Sequence, residues 1–230
     1  MTTMESIDLT VAARAEGVRY ALLRRLAPAM RHHLVVNLQP IGMIYEVLER
    51  RLQSPAPDLD QVRDSAARIN GFTRAAVRSC LDVITWLSPE EGATSSVAEG
   101  VEECLGLLNG NLNFRGFTLT NEGGAPDATV ARHAIRSVLT AALLACTDAL
   151  TQPADLVLAA RHSEGRVLVS IAVADAPGRS GFSNEGAYRP LLWADVQAIA
   201  DAEGARVTHS PASVELSFAL VTPAVALTHD

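Results

Sequence analysis

The sequence predicts an α+β protein in two parts: an N-terminal antiparallel helical hairpin, then a sandwich of helices on one face of a largely antiparallel sheet. Three observations carry this. Apolar residues recur at steps of three and four from Val18 to Leu87, broken only by the polar, proline-bearing run Gln53–Asp60. From Ala93 the pattern changes to alternating helical and extended stretches, with turn residues between them. Hydrophobic residues make up 48% of the chain and aromatics only 4%, a mix that favours helices and cores of Ala, Leu and Val. The expected division is a hairpin domain over 1–90 and a sandwich domain over 91–230.

The first helical region spans about Leu9 to Leu52, as one long helix or two stacked ones. Val18, Leu22, Leu26, Met30, Leu34, Leu38, Ile41 and Ile44 mark its stripe. Pro28 and Pro40 each remove a backbone donor, so bends are expected, or Pro28 opens a new helix. Asp58 or Asp60 is placed to cap the second helix, Gln61–Leu87, which Pro89 and Gly92 close. Two such helices joined by a short turn form a hairpin with no third layer of its own. Pairing with a second copy makes a four-helix bundle and buries both stripes; the alternative is a monomer in which the hairpin packs on the C-terminal half of its own chain.

Ser96–Leu112 reads as a helix, Phe117–Thr120 as a short strand and Thr129–Leu150 as a helix again. Asp155–Arg161 and Arg166–Ala174 read as a β-hairpin turning at Ser163-Glu164-Gly165. Leu191–Glu203 is a helix stopped by Gly204, and Val207–Ser210 with Ser213–Val221 form a last hairpin.

The net charge of −7 carries no basic surplus, which argues against nucleic acid as a partner. Cys80, Cys104 and Cys146 are far apart and unpaired in pattern, as expected of buried free thiols in a reducing compartment. The start of the chain lacks a basic segment followed by an apolar run, and no stretch reaches the roughly 20 apolar residues of a membrane span. A cytoplasmic protein without membrane association is expected.

One stretch stands out chemically, Leu26–Ile44, with adjacent histidines at 32 and 33. Leu26, Met30, Leu34, Leu38 and Ile41 form a stripe beside His32, whereas the same offsets from His33 include Arg31 and Gln39. His32 is therefore the better placed of the two for presentation next to a packing seam. This stretch resembles the phosphoacceptor helix of two-component histidine kinases and of the phosphotransferases built like them. The matching residues are His32-His33-Leu34 with Leu38, and Asn37-Leu38-Gln39 as in one subfamily. His33 stands where the family usually has Glu, Asp or Arg, and Asn37 where many members have Pro.

The element order from Ser95 to Val221 resembles the ATP-binding domain of the same kinases, but its nucleotide motifs are altered. Asp148-Ala149-Leu150 matches the context of the family's metal-binding Asn, with Asp in its place; oxygen is still a ligand type that Mg²⁺ accepts. Asp175-Ala176-Pro177-Gly178 has Pro where the first glycine of the Asp-x-Gly-x-Gly element belongs. Tyr188–Trp193 holds none of the glycines of the phosphate loop that opens the following helix, and the segment between Asp175 and Tyr188 is short for a lid.

Taken together, the chain most resembles dimeric histidine phosphotransferases of the ChpT kind. The resemblance implies relay of a phosphoryl group between the aspartates of response-regulator receiver domains, with His32 as phosphoacceptor and His33 and Asn37 as secondary site residues. It implies a homodimer, no resident nucleotide or metal, and Mg²⁺ supplied by the receiver. His33 either orients the phosphorylated ring or is simply exposed. An imidazole with an ordinary pKa near ~6.5 is largely neutral at cytosolic pH, as such a nucleophile requires. Two alternatives stay open: a non-catalytic dimeric regulator, and an ATP-dependent histidine kinase with an atypical site.

Overall fold

The computed structural model describes residues 2–182 and 188–221, with side chains from residue 10 onward. The elements run α1 (Thr2–Leu52), α2 (Leu59–Leu87), β1 (Thr94–Ser96), α3 (Val97–Phe114), β2 (Thr118–Asn121), β3 (Thr129–Ala131), α4 (Arg132–Ala149), β4 (Ala154–Ser163), β5 (Arg166–Asp175), α5 (Trp193–Ala202), β6 (Arg206–His209) and β7 (Ser213–Ala219). The architecture is the α+β arrangement expected: a helical hairpin, then helices packed on a sheet.

The chain divides into two compact units, Ala27–Pro89 and Met1–Leu26 with Glu90–Asp230. The division falls inside α1, which is one helix containing both Pro28 and Pro40. Its first half belongs with the sheet-bearing unit, not with the hairpin as the sequence reading grouped it.

In the hairpin unit, Asp58 caps α2: its Oδ1 accepts from the backbone N–H of Asp60 at 3.0 Å and of Gln61 at 3.2 Å. Oxygen at this position satisfies donors that the first helical turn leaves free. The same bonds hold the Asp58 pKa below its ordinary value, against a smaller effect of burial.

In the larger unit, a five-stranded sheet has the order β2-β4-β5-β7-β6. The β2–β4 pairing is parallel and the rest are antiparallel. Residues alternate as the pleat requires: Leu156 and Leu158, Val167, Val169 and Ile171, and Val214, Leu216 and Phe218 are buried on one face. The β4–β5 turn is Glu164-Gly165, both at positive φ (41° and 76°), the geometry of a two-residue hairpin loop. Ser96 and Glu99 form a capping box at the start of α3, each accepting from the other's backbone N–H at 3.1 Å.

Three readings need correction. Thr129–Ala131 is a strand, paired antiparallel with Thr94–Ser96, and α4 starts only at Arg132. These three-residue strands are too short to show a period. Helix α5 starts at Trp193 rather than Leu191: Leu192 is its N-cap, with extended backbone, and its C=O accepts the first helical bond, from the Val196 N–H at 3.2 Å. Cys104 and Cys146 are buried, with their thiol pKa values pushed up by burial to about 12 and about 11, but Cys80 is exposed. The short segment between Asp175 and Tyr188 lies partly outside the described residues.

Candidate functional site

The histidines sit in the hairpin unit. Asn37 Nδ2 meets Ser79 Oγ at 3.1 Å, and Arg51 Nη1 meets Ser65 Oγ at 2.9 Å. As one partner number rises the other falls, so α1 and α2 run antiparallel. The stripe of α1 turned to α2 is Met30, Asn37 and Ile44, at heptad spacing, with Met30 and Ile44 buried. The stripe anticipated from sequence is thereby split: Met30 lies in it, Leu34 and Ile41 are half-buried at its side, and Leu38 is 52% exposed.

Helix geometry sorts the remaining apolar residues into two flanks. Leu34, Leu38 and Tyr45 lie along one side of α1, and Val77, Leu81 and Ile84 lie along the outer side of α2. Leu38, Tyr45, Val77, Leu81 and Ile84 are all exposed, and among the described residues this apolar surface has no cover. His32 falls on the opposite flank, in line with Val36, Met43 and Val47. His33 lies between His32 and the α2-facing stripe. Both histidines are exposed, with ring centroids 6.3 Å apart and planes tilted by 52°. Asn37 is half-buried and its Nδ2 is held by the His33 carbonyl at 2.9 Å as well as by Ser79, while its Oδ1 remains available to another donor.

The second set of anticipated residues lies in the larger unit, around Asp148. Its carboxylate is nearly buried and accepts four hydrogen bonds. Arg25 of α1 grips both oxygens, Nη1 on Oδ2 and Nη2 on Oδ1 at 2.9 Å. Arg115, at the end of α3, adds Nη2 to Oδ1 at 3.3 Å, and the Leu191 N–H adds a bond to Oδ2 at 3.0 Å. Asp148 thus ties together α1, α3, α4 and the entry to α5.

Asp195, in the first turn of α5, repeats the arrangement. Oδ2 accepts from the Leu192 N–H at 3.0 Å and from Arg189 Nη1 at 2.6 Å, and Oδ1 accepts from Arg14 Nε and Nη2 at 3.2 and 3.1 Å. Burial pushes this carboxyl up, but the bonds from Arg189, Leu192 and Arg14 outweigh it, and its pKa lies below the ordinary carboxylate value. Glu203, past the end of α5, receives Arg19 Nη2 at 2.8 Å and pairs with His133 Nε2 at 2.9 Å.

Each of these three acids is therefore flanked by one arginine of α1 and one basic side chain from elsewhere in the unit, Arg115, Arg189 or His133. The first half of α1 seats against them through Ala15, Val18, Leu22 and Leu26, none more than 3% exposed. At the entry to α5, the N–H groups of Leu191 and Leu192 already have carboxylate acceptors. The Asp148 oxygens that would ligate a metal are taken by guanidinium and amide donors. Asp175 ends β5 opposite Ala154 and is exposed. Among the described residues no cluster of three or more His, Cys, Asp or Glu could hold a metal ion.

The sequence reading missed Arg14, Arg19, Arg25, Asp195 and Glu203. The arginines fall beside the apolar ridge of α1, which is a signal that this half carries a second partner. The acids have no local signature.

No family model matches the chain, and no curated protein matches it. Solved structures similar to it include the Acinetobacter baumannii histidine kinase AdeS, at 14% identity and TM-score 0.42, covering 80% of this chain and 98% of that one. A bacterial phosphotransferase is similar at 15% identity and TM-score 0.37, covering 85% and 94%. Histidine kinase ThkA in complex with the response regulator protein TrrA is similar at 16% identity and TM-score 0.41, covering 90% and 63%. No helix among the described residues is long and apolar enough to cross a membrane.

Proposed function

We infer that this protein is a cytoplasmic, dimeric histidine phosphotransferase that relays a phosphoryl group between receiver-domain aspartates without using ATP. The observation that carries the reading is the placement of His32: exposed, on the flank of a helical hairpin opposite a broad uncovered apolar face. The apolar face fits a second copy of the hairpin, since a four-helix bundle would cover Leu38, Tyr45, Val77, Leu81 and Ile84. The flank of His32 then stays open to a receiver.

The lone pair of an unprotonated His32 ring nitrogen attacks the phosphorus of an aspartyl phosphate on the receiver. A P–N bond forms, the P–O bond to the aspartate breaks, and the carboxylate leaves with the electron pair. The ring loses the proton from its other nitrogen. Transfer onward to a second receiver aspartate reverses these steps. Such a transfer depends on alignment and charge neutralisation more than on covalent help from the protein. The receiver brings Mg²⁺. In this reading His33 and Asn37 have secondary roles, in orienting the ring or the phosphoryl group.

The engagement of Asp148, Asp195, Leu191 and Leu192 within the protein supports a nucleotide-free relay over a kinase. The test uses a receiver carrying labelled aspartyl phosphate. Wild type should acquire acid-labile label, His32→Ala should lose it while remaining dimeric, and His33→Ala should retain part of it. Full labelling of the double variant would remove phosphotransfer through these histidines from the account, whereas absence of label on wild type that still binds the receiver would leave a non-catalytic docking regulator as the better account.

A further inference from the structure

The face of the five-stranded sheet turned away from the helices carries a basin of about 390 Å³. Its shape follows from strand register. Leu168, Ser217 and Arg206 lie in one cross-strand row over β5, β7 and β6. A serine between two long side chains leaves a depression, and Ser217 is its floor.

Two guanidiniums border this depression. Arg166 lies over Ser217 and is fixed there: Nε donates to Ser217 Oγ at 2.6 Å, and Nη2 to Ser217 O at 2.7 Å and Gly204 O at 3.3 Å. Its Nη1 has no partner among the described residues. Arg206 lies close enough that its charge acts on Arg166, and among the described residues it has no carboxylate partner. Glu215, in the neighbouring row, is engaged by Arg161 at 2.9 Å. The contrast with Arg14, Arg19, Arg25, Arg115, Arg179 and Arg189 is plain, since each of those faces a carboxylate. Two like charges held side by side repel, and an anion between them relieves the repulsion. An anchored guanidinium offering a free N–H edge is also arranged in advance for an oxyanion.

We propose that this basin binds a phosphate monoester dianion, gripped by Arg166 and Arg206, with the Ser163 and Thr208 hydroxyls as neutral donors. Glu164 and Glu215 at the rim restrict the site to a single phosphoryl group and disfavour extended polyanions. The same chemistry is offered by a small phosphorylated metabolite and by a phosphorylated side chain. The site is separate from the histidines and does not depend on the phosphotransfer reading.

The test is a titration of the full-length ¹⁵N-labelled protein with inorganic phosphate, glycerol 3-phosphate and a phosphoserine peptide. Ionic strength is held constant with NaCl. At least one probe should give saturable amide shifts centred on Arg206 and Ser217, with half-saturation below about a millimolar, and the tightest arm identifies the source. Arg206→Gln should weaken that binding at least tenfold while leaving the rest of the spectrum in place. Its melting temperature in phosphate-free buffer should equal or exceed that of wild type, because a like-charge contact is removed. Thr208→Glu, which places a carboxylate beside the basin, should have the same effect on binding. Shifts that grow linearly with every probe, or that persist unchanged in Arg206→Gln, would overturn the proposal.

Discussion

Replacing Asp148 by Asn tests the reading of the larger unit most directly. Asn is nearly the same size, and it is the residue that the kinase resemblance expects at this position. If Asp148 were a ligand in waiting, the change would be mild or would favour nucleotide. The geometry argues otherwise. The carboxylate stands between Arg25 and Arg115, which are 5% and 10% exposed, and all four of its hydrogen bonds come from donors. Asn removes the charge and turns an NH₂ group toward one of those donors. Two buried guanidiniums are left without compensation, for which a loss of about 3–5 kcal/mol is expected. Arg25→Met leaves Asp148 with Arg115 and the Leu191 N–H, so its cost should be smaller, about 2–3 kcal/mol. Trp193 opens α5 in this unit and Trp86 lies in the hairpin, so Trp193 fluorescence in a Trp86→Phe background follows the larger unit alone. With a urea m-value of about 2–3 kcal/mol/M, the midpoint should fall by roughly 1–2 M for Asp148→Asn. In the double variant the two losses should be strongly non-additive. A loss under about 1 kcal/mol, or saturable calorimetric binding of ATP with Mg²⁺ to either protein, would refute the reasoning.

Light scattering should show a dimer, and Leu38→Asp should give a folded monomer: Leu38 is half exposed in the single chain, so the charge harms only the surface that a second copy covers. A fragment of residues 90–230 should fail to fold. Val18, Leu22 and Leu26 are at most 3% exposed and contribute about 1.5–3 kcal/mol each, which together rivals the stability of a whole domain; near-UV circular dichroism of a folded fragment would contradict this. Acid should destabilise the larger unit first through Asp195 and Glu103. Both are pushed up by burial but held lower overall by arginine hydrogen bonds. A depressed folded-state pKa gives stability that is present above the unfolded value near ~4 and is lost as pH falls through the folded value. The Trp193 midpoint should therefore be insensitive to this pair between pH 5 and 7 and drop below about pH 4, and the drop should shrink in Asp195→Asn.

Periodicity and punctuation are local, and what they govern was legible in the chain. The helical hairpin, its Asp58 cap, the Glu164-Gly165 turn and the alternating strands β4, β5 and β7 all follow from residues within a few positions of one another. The choice between the histidines was not legible: both are exposed, and His33 is the one that lies nearer the stripe turned to α2. Which stripe faces α2 was not: the apolar set of α1 is wide enough for two neighbours, and the Asn37–Ser79 pairing selects Met30, Asn37 and Ile44 for the inner one. The paired strands β1 and β3 escaped because three residues carry no period and their hydrogen bonds join positions far apart in sequence. Asp148 shows the limit most clearly. Its place near the end of α4 reads as a helix-end carboxylate or an altered metal ligand, and only the tertiary structure brings Arg25 to it across a sequence separation of 123 residues. A carboxylate has the same letter whether it faces a cation in solution or a guanidinium on another helix. Its chemistry is decided by which charge the fold carries into contact with it, and that depends on every element in between.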